Sequence, residues 1–240
     1  MFKQIDQLLA QLNHLRPLPP HTLSSLHEQF VLEWTYNSNA IEGNTLTLKE
    51  TKVVLEGITV GGKLIREHFE AINHKEAIDY IEAIITQPAA LSEHIIKSLH
   101  QLILKGIDDH NAGVYRRENV LIAGAEHTPP DHFLVAEQMM DLLKNHQQFK
   151  GHPLERAARL HSDFVKIHPF VDGNGRTARL LMNLDLMQAG LQPVIIKAAN
   201  RLAYYEALDK AHTQNQVEDF ITLVAYAEKE ALTRILQLVN

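Results

Sequence analysis

Ile167-His168-Pro169-Phe170-Val171-Asp172-Gly173-Asn174-Gly175-Arg176-Thr177-Ala178-Arg179 is the stretch that decides how the chain is read. An apolar pattern at helical spacing ends in front of it (Leu160, Phe164, Ile167) and another begins directly after it (Leu180, Leu181, Leu184, Met187). The polar stretch is therefore a loop wedged between two buried helices. Pro169 closes the first helix, because it disfavours the α region in the residue before it and cannot donate a helix hydrogen bond. Gly173 and Gly175 permit unusual backbone angles, and free N–H groups at the start of the second helix favour an anion there. Arg176 and Arg179 lie three apart, on one face near that helix start, where forked guanidinium donors suit phosphate oxygens. Asp172 is an oxygen ligand suited to Mg²⁺ shared with substrate phosphates. His168 is a base whose ordinary pKa lies near neutrality. Any one of these residues alone fits a capped loop that satisfies buried backbone. All of them at this spacing point to phosphate-transfer chemistry.

The twelve residues from His168 to Arg179 resemble the signature of the Fic family, His-Pro-Phe-x-x-Gly-Asn-Gly-Arg-x-x-Arg, with the family's metal-binding acid present as Asp172. The resemblance implies an adenylyltransferase that moves AMP from ATP onto a Ser, Thr or Tyr hydroxyl of another protein. It implies that His168 takes the hydroxyl proton and that Asp172 holds Mg²⁺, with Mn²⁺ as the alternative, on the α- and β-phosphates. Gly173, Asn174 and Gly175 would form the anion hole, and Arg176 and Arg179 would contact the outer phosphates.

A second informative stretch is Ser38-Asn39-Ala40-Ile41-Glu42-Gly43-Asn44. By itself it is an ordinary helix end with an exposed carboxylate. Beside the family resemblance it matches the inhibitory motif Ser/Thr-x-x-x-Glu-Gly/Asn, filled by Ser38, Glu42 and Gly43. That match implies that Glu42 pairs with Arg179 and keeps the γ-phosphate from its clamp, so the chain carries its own inhibitor.

The 240 residues, 45% of them apolar, are enough to bury a substantial core. Lys and Arg number 23 against 29 Asp and Glu, a net charge of −6, so no global basic field suits nucleic acid or an anionic membrane. Affinity for ATP must come from the local arginine and glycine cluster. With no cysteine, disulfides, thiolate chemistry and thiolate zinc sites are excluded. The N-terminus is amphipathic rather than a signal peptide, and no apolar run reaches the length of a membrane span. A soluble cytoplasmic protein is expected.

Apolar spacing predicts helices over about 1–15, 22–36, 47–57, 65–86, 92–106, 131–149, 153–167, 175–189, 200–212 and 217–238. Thr47 and Glu50 form a capping box, Ser92 caps the fifth helix, and Pro88 stops the fourth. The exception is 113–130, where a short β-prone run, a glycine turn and Pro129-Pro130 predict an irregular hairpin. In the family this position is the flap that docks the target as an added strand, with Val120, Leu121 and Ile122 as the edge here. Tyr205 is the residue that the resemblance sets beside the adenine. His212 stands where relatives carry Asn, a departure that bears on nucleotide preference. With 15 histidines, a histidine taken at random means little, and no paired-histidine metalloprotease motif or Walker A motif occurs.

The expected architecture is mostly α, a Fic-type helical bundle with a small β-hairpin flap over the site. Residues 1–60 form N-terminal helices, with the inhibitory segment at about 22–44, packed as one unit with a catalytic core over 61–240. The expected partners are ATP and a target protein at the flap, with self-modification and a homodimer as further options, and neither nucleic acid nor membrane. Three rivals use the same chain: removal of AMP by the same site, a kinase with ATP inverted, and a non-catalytic nucleotide sensor locked by Glu42. The kinase ranks low because the Gly173-Asn174-Gly175-Arg176 motif is complete.

Overall fold

The computed structural model describes residues 1–86 and 90–239. Ten α-helices run among the described residues: α1 Phe2–His14, α2 Pro20–Ile41, α3 Leu48–Leu55, α4 Ile65–Ile85, α5 Glu93–Leu104, α6 Val135–Gln148, α7 Pro153–Ile167, α8 Asn174–Gln188, α9 Arg201–Thr213 and α10 Glu218–Val239. No helix among them is long and apolar enough to cross a membrane.

Local chemistry sets several boundaries. Thr47 Oγ1 accepts the Glu50 N–H at 3.2 Å while Glu50 Oε2 accepts the Thr47 N–H at 2.7 Å, a complete capping box at α3. Ser92 Oγ accepts the Ile95 N–H at 3.4 Å and starts α5. Pro20 and Pro153 stand in the first turns of α2 and α7, where a missing N–H costs nothing. The stop expected at Pro88 lies outside the described residues.

The α7–α8 hairpin sits between two apolar clusters. One joins it to α1, α9 and α10 through Ile5, Leu12, Leu154, Met182, Phe220 and Leu232. The other joins it to α4, α5 and α6 through Ile78, Leu99, Met139, Phe164, Phe170 and Leu184. Each such side chain, fully withdrawn from water, contributes about 1.5–3 kcal/mol. Helix α8 is buried on every side from Arg176 to Leu186, so its polar residues all need protein partners. Asp185 takes both Arg156 Nε at 3.0 Å and Nη2 at 2.8 Å. Asn183 accepts the Val194 N–H at 2.8 Å and donates to the Val194 carbonyl at 2.9 Å, which pins the segment leading to α9.

Two expectations need correction. Helix α2 continues to Ile41, five residues beyond Tyr36, because the polar residues of its last turns find buried partners. Asn39 Nδ2 donates to the Thr35 carbonyl at 3.0 Å and the Glu70 carbonyl at 3.2 Å, and Gly43, at φ 96°, turns the chain after Glu42. The β-hairpin flap is absent: no strand occurs among the described residues, and 113–131, with Val120, Leu121 and Ile122, is an ordered loop. A turn does form, with the Ala125 N–H on the Ile122 carbonyl at 3.2 Å. The flanks do not pair, because Pro129 and Pro130 have no N–H and the Arg116 guanidinium takes the Glu118 and Pro130 carbonyls.

Candidate active site

Helix α7 ends at His168, whose backbone is left-handed at φ 51° and ψ 59° while its N–H still donates to the Phe164 carbonyl at 3.0 Å. A non-glycine residue in that region is held there by its surroundings, a form of strain typical of functional sites. Arg116 supplies the hold: its Nε donates to the His168 carbonyl at 2.9 Å and its backbone N–H to the Pro169 carbonyl at 2.9 Å. The imidazole Nδ1 faces the Val165 carbonyl without closing a well-formed hydrogen bond. Burial, helped by the charge of Arg116, lowers the His168 pKa to about 4. The ring is therefore neutral at pH 7 and able to accept a proton.

The loop after His168 is locked from both sides. Asn174 turns inward, its Oδ1 accepting the Phe170 N–H at 3.0 Å and its Nδ2 donating to the Phe170 carbonyl at 2.8 Å. Anything that Asn174 offers an anion must thus come from its backbone N–H. Phe170 stacks on His100 of α5 with ring centroids 3.5 Å apart. His100 Nδ1 accepts the Gly113 N–H at 2.9 Å, so Nε2 carries the proton and donates it to the Asp172 carbonyl at 2.8 Å. Burial pushes the His100 pKa down to about 4, which keeps that tautomer neutral. Gly173 caps α8 at φ 76°, and a Cβ there would stand 3.2 Å from Ile103 Cγ2. The α8 N-terminus therefore opens on a fixed loop with its first N–H groups free of helix partners.

Asp172 Oδ1 accepts the Gly173 N–H at 2.6 Å and lies 3.4 Å from Arg176 Nη2, and Oδ2 pairs with Arg66 of α4. Burial alone would raise its pKa, but Arg176, the Gly173 N–H and Arg66 together hold it below the usual carboxylate value. Arg176, only 2% exposed, stands 3.4 Å from Glu70 Oε1 through Nη1, and its Nε has no hydrogen-bond partner. A buried guanidinium with an orphaned donor at a helix start fits an anionic ligand.

Each nitrogen of the Arg179 guanidinium has a partner. Its Nε donates to Ser38 Oγ at 3.0 Å, Nη1 to the Tyr204 hydroxyl at 3.2 Å, and Nη2 to the Ser38 carbonyl at 2.8 Å and Glu42 Oε1 at 2.7 Å. The Tyr204 hydroxyl passes its proton towards His161 Nε2 at 3.1 Å. Gly175 leaves room for Glu42, since a Cβ there would run into Glu42 Oε1. Tyr205 lies beside this group and donates to the Ile41 carbonyl at 3.1 Å. His212 Nε2 faces the Ser162 carbonyl at 3.0 Å, across the ring of His127.

His168, Asp172, Gly173, Gly175, Arg176 and Arg179 thus meet Ser38 and Glu42 around one helix start, and Tyr205 borders them. The segment 120–122 stays apart, with Leu121 83% exposed. Sequence reasoning gave no role at this site to Arg66, Glu70, His100, Arg116 or Tyr204. Tyr204 adjoins Tyr205 and Arg116 falls within the 113–130 stretch; the others carry no local signal.

The fold and the site define a helical protein whose central hairpin presents the start of a buried helix, with a neutral histidine and a carboxylate at its mouth. The chain belongs to the Fic/DOC family, whose profile matches residues 90–186. It is 37% identical over 224 residues to the protein adenylyltransferase Fic of Drosophila grimshawi, a match covering 88% of this chain and 46% of that protein. The corresponding protein of Drosophila willistoni is 36% identical over 224 residues, with 88% and 44% covered. The chain thus spans less than half the length of these relatives. Among solved structures it resembles a Fic domain-containing signaling protein from Bacteroides thetaiotaomicron, at TM-score 0.90 and 28% identity, over 98% of this chain and 96% of that one. Fic-1 of C. elegans, residues 134–508, matches at TM-score 0.88 and 31% identity over 98% and 70% of the two chains.

Proposed function

We propose that this chain is a protein adenylyltransferase that transfers AMP from ATP to a Ser, Thr or Tyr hydroxyl of a target protein and is held back by Glu42. The observation that carries the reading is the placement of a neutral His168 at the mouth of the α8 helix start, where Arg176 keeps a buried donor unpaired. The triphosphate would lie against the first N–H groups of α8 and the Arg176 and Arg179 guanidiniums. The target hydroxyl oxygen forms a bond to the α-phosphorus as the bond from that phosphorus to the bridging oxygen breaks. Its proton passes to His168, and pyrophosphate leaves.

Asp172 is the residue that would hold Mg²⁺ or Mn²⁺. Among the described residues no group of three or more His, Asp or Glu side chains could hold a metal unaided. One carboxylate shared with phosphate oxygens nevertheless suits Mg²⁺. The cation supplies charge neutralisation on the phosphates. Fixed donors and a rigid loop do the rest, since this chemistry asks the protein mainly for positioning and electrostatic stabilisation.

Glu42 opposes this at a defined point. Its carboxylate takes the Arg179 donor that would otherwise meet the outer phosphate and places a negative charge there. A second reading, removal of AMP with Glu42 orienting a water, draws support from the Glu42 side chain being 33% exposed while tied through one oxygen. Tyr205 would border the adenine, and the segment Val120, Leu121 and Ile122, of which Leu121 is exposed, would meet the target.

The test is transfer of label from ATP, marked at the α- or the γ-phosphate, to Glu42→Gly protein and to a cell lysate, with Glu42→Gly/His168→Ala as control. α label alone, lost with His168, is the expected result. γ label would make the chain a kinase. No label from either would leave AMP removal or nucleotide sensing.

A further inference from the structure

Arg66 lies far from the motif in sequence, yet it is the side chain that meets Asp172 Oδ2. The two oxygens of Asp172 are held in different ways. Oδ1 accepts the N–H of Gly173, a bond that belongs to the left-handed turn opening α8 and cannot be given up without reshaping the loop. Oδ2 is held by a guanidinium at the end of a long side chain that is 52% exposed. A divalent cation shared with phosphates needs an oxygen from this carboxylate. Oδ2 is the one that can be surrendered.

The surroundings give Arg66 somewhere to go. Its Nε donates to Glu70 Oε1 at 3.0 Å, so it keeps a charged partner after leaving Asp172. Glu70 is itself fixed, since Oε2 accepts Asn44 Nδ2 at 2.8 Å and Oε1 faces Arg176. Asn44 follows Glu42 by two residues and also donates to the Glu67 carbonyl at 3.1 Å. The anchor of Arg66 is thus tied to the segment that carries Glu42.

We propose that Arg66 is a built-in counter-ion that competes with the divalent cation for Asp172 Oδ2, so that cation binding requires Arg66 to fall back onto Glu70. The inference rests on the reading of Asp172 as the metal ligand. It makes Arg66 a positioning residue that sets cation affinity and takes no part in bond making.

The experiment is titration with Mn²⁺ of the full chain in the Glu42→Gly background, held in excess over a non-hydrolysable ATP analogue, with free ion followed by electron paramagnetic resonance, for the otherwise wild-type chain, Arg66→Gln, Arg66→Lys and Asp172→Asn. Arg66→Gln is expected to bind Mn²⁺ about two- to fivefold more tightly, the range of a partly exposed ion pair. The gain should shrink as salt is raised. Arg66→Lys, which keeps the charge, should stay near wild type. Arg66→Gln that melts like wild type yet binds Mn²⁺ no more tightly overturns the proposal, as does equal tightening by Arg66→Lys. Arg66→Met serves the same purpose if the glutamine variant does not fold. Asp172→Asn is expected to bind Mn²⁺ more weakly, and unchanged binding there would instead defeat the assignment of Asp172.

Discussion

Glu42 and Arg179, 137 residues apart in the chain, meet at 2.7 Å between Oε1 and Nη2. The contact completes a guanidinium whose other donors already go to Ser38 Oγ, the Ser38 carbonyl and the Tyr204 hydroxyl. Three of those four acceptors are buried protein groups, and Glu42 is the one that borders solvent. An incoming phosphate therefore competes with Glu42 for Arg179 Nη2.

Glu42→Gly should raise transfer from α-labelled ATP by about 10- to 100-fold, the range expected from a charge-assisted hydrogen bond of about 1.5–3 kcal/mol. Folding should change little, because Arg179 keeps Ser38 and Tyr204. Unchanged transfer in a folded variant would remove Glu42 from the account of inhibition.

His168→Ala in the Glu42→Gly background should cut transfer by about 10²- to 10⁴-fold at an unaltered melting temperature. A pH profile gives an independent check. With its pKa lowered to about 4, His168 stays in the base form through neutrality, so kcat/KM should hold level down to about pH 5 and fall below it. A fall centred on the ordinary histidine value would mean that another group limits the rate.

Gly173→Ala should destabilise the chain by about 1–2 kcal/mol, because an L side chain resists the left-handed region. Its φ of 76° demands that region, and the new methyl would crowd Ile103 Cγ2 at 3.2 Å and His100 Cδ2 at 3.4 Å. Thermal unfolding against wild type measures this directly.

Glu228 makes stability depend on pH between 4.5 and about 8. It is fully buried on α10, accepts the Gln192 N–H at 3.0 Å through Oε1, and leaves Oε2 without a partner. Burial raises its pKa from 4.5 to about 8. Between those values the folded chain holds a proton that the unfolded chain has released, so stability falls as pH rises through the window and is fully retained below 4.5. Glu228→Gln should therefore gain on wild type as pH climbs, by roughly 5 °C in Tm between about pH 5 and pH 8.5. A constant difference across that range would mean that the carboxyl does not titrate with folding.

Much of this chain was open to a reader of the sequence. Pro169, the two glycines and the flanking Leu and Phe residues mark a loop between helices, because each acts on its own or adjacent backbone. The Thr47–Glu50 box is legible for the same reason, both bonds falling within four residues. The hairpin over 113–130 was misread because β-prone side chains at Val120, Leu121 and Ile122 say nothing about whether an opposing strand has donors to offer. Pro129, Pro130 and the Arg116 side chain leave none in place.

The sequence by itself determined the order of the helices and the loop that ends α7 and starts α8, since proline, glycine and capping effects are carried by neighbours in the chain. The tertiary structure alone decided which distant groups that loop would meet: Arg66 on Asp172, His100 under Phe170, Arg116 on His168, Tyr204 on Arg179. Apart from that of the half-exposed Arg66, these pairings follow from burial. Once packing removes Arg179 and the loop carbonyls from water, each must be matched by whatever polar group the neighbouring helix brings within reach. No spacing along the chain records that reach.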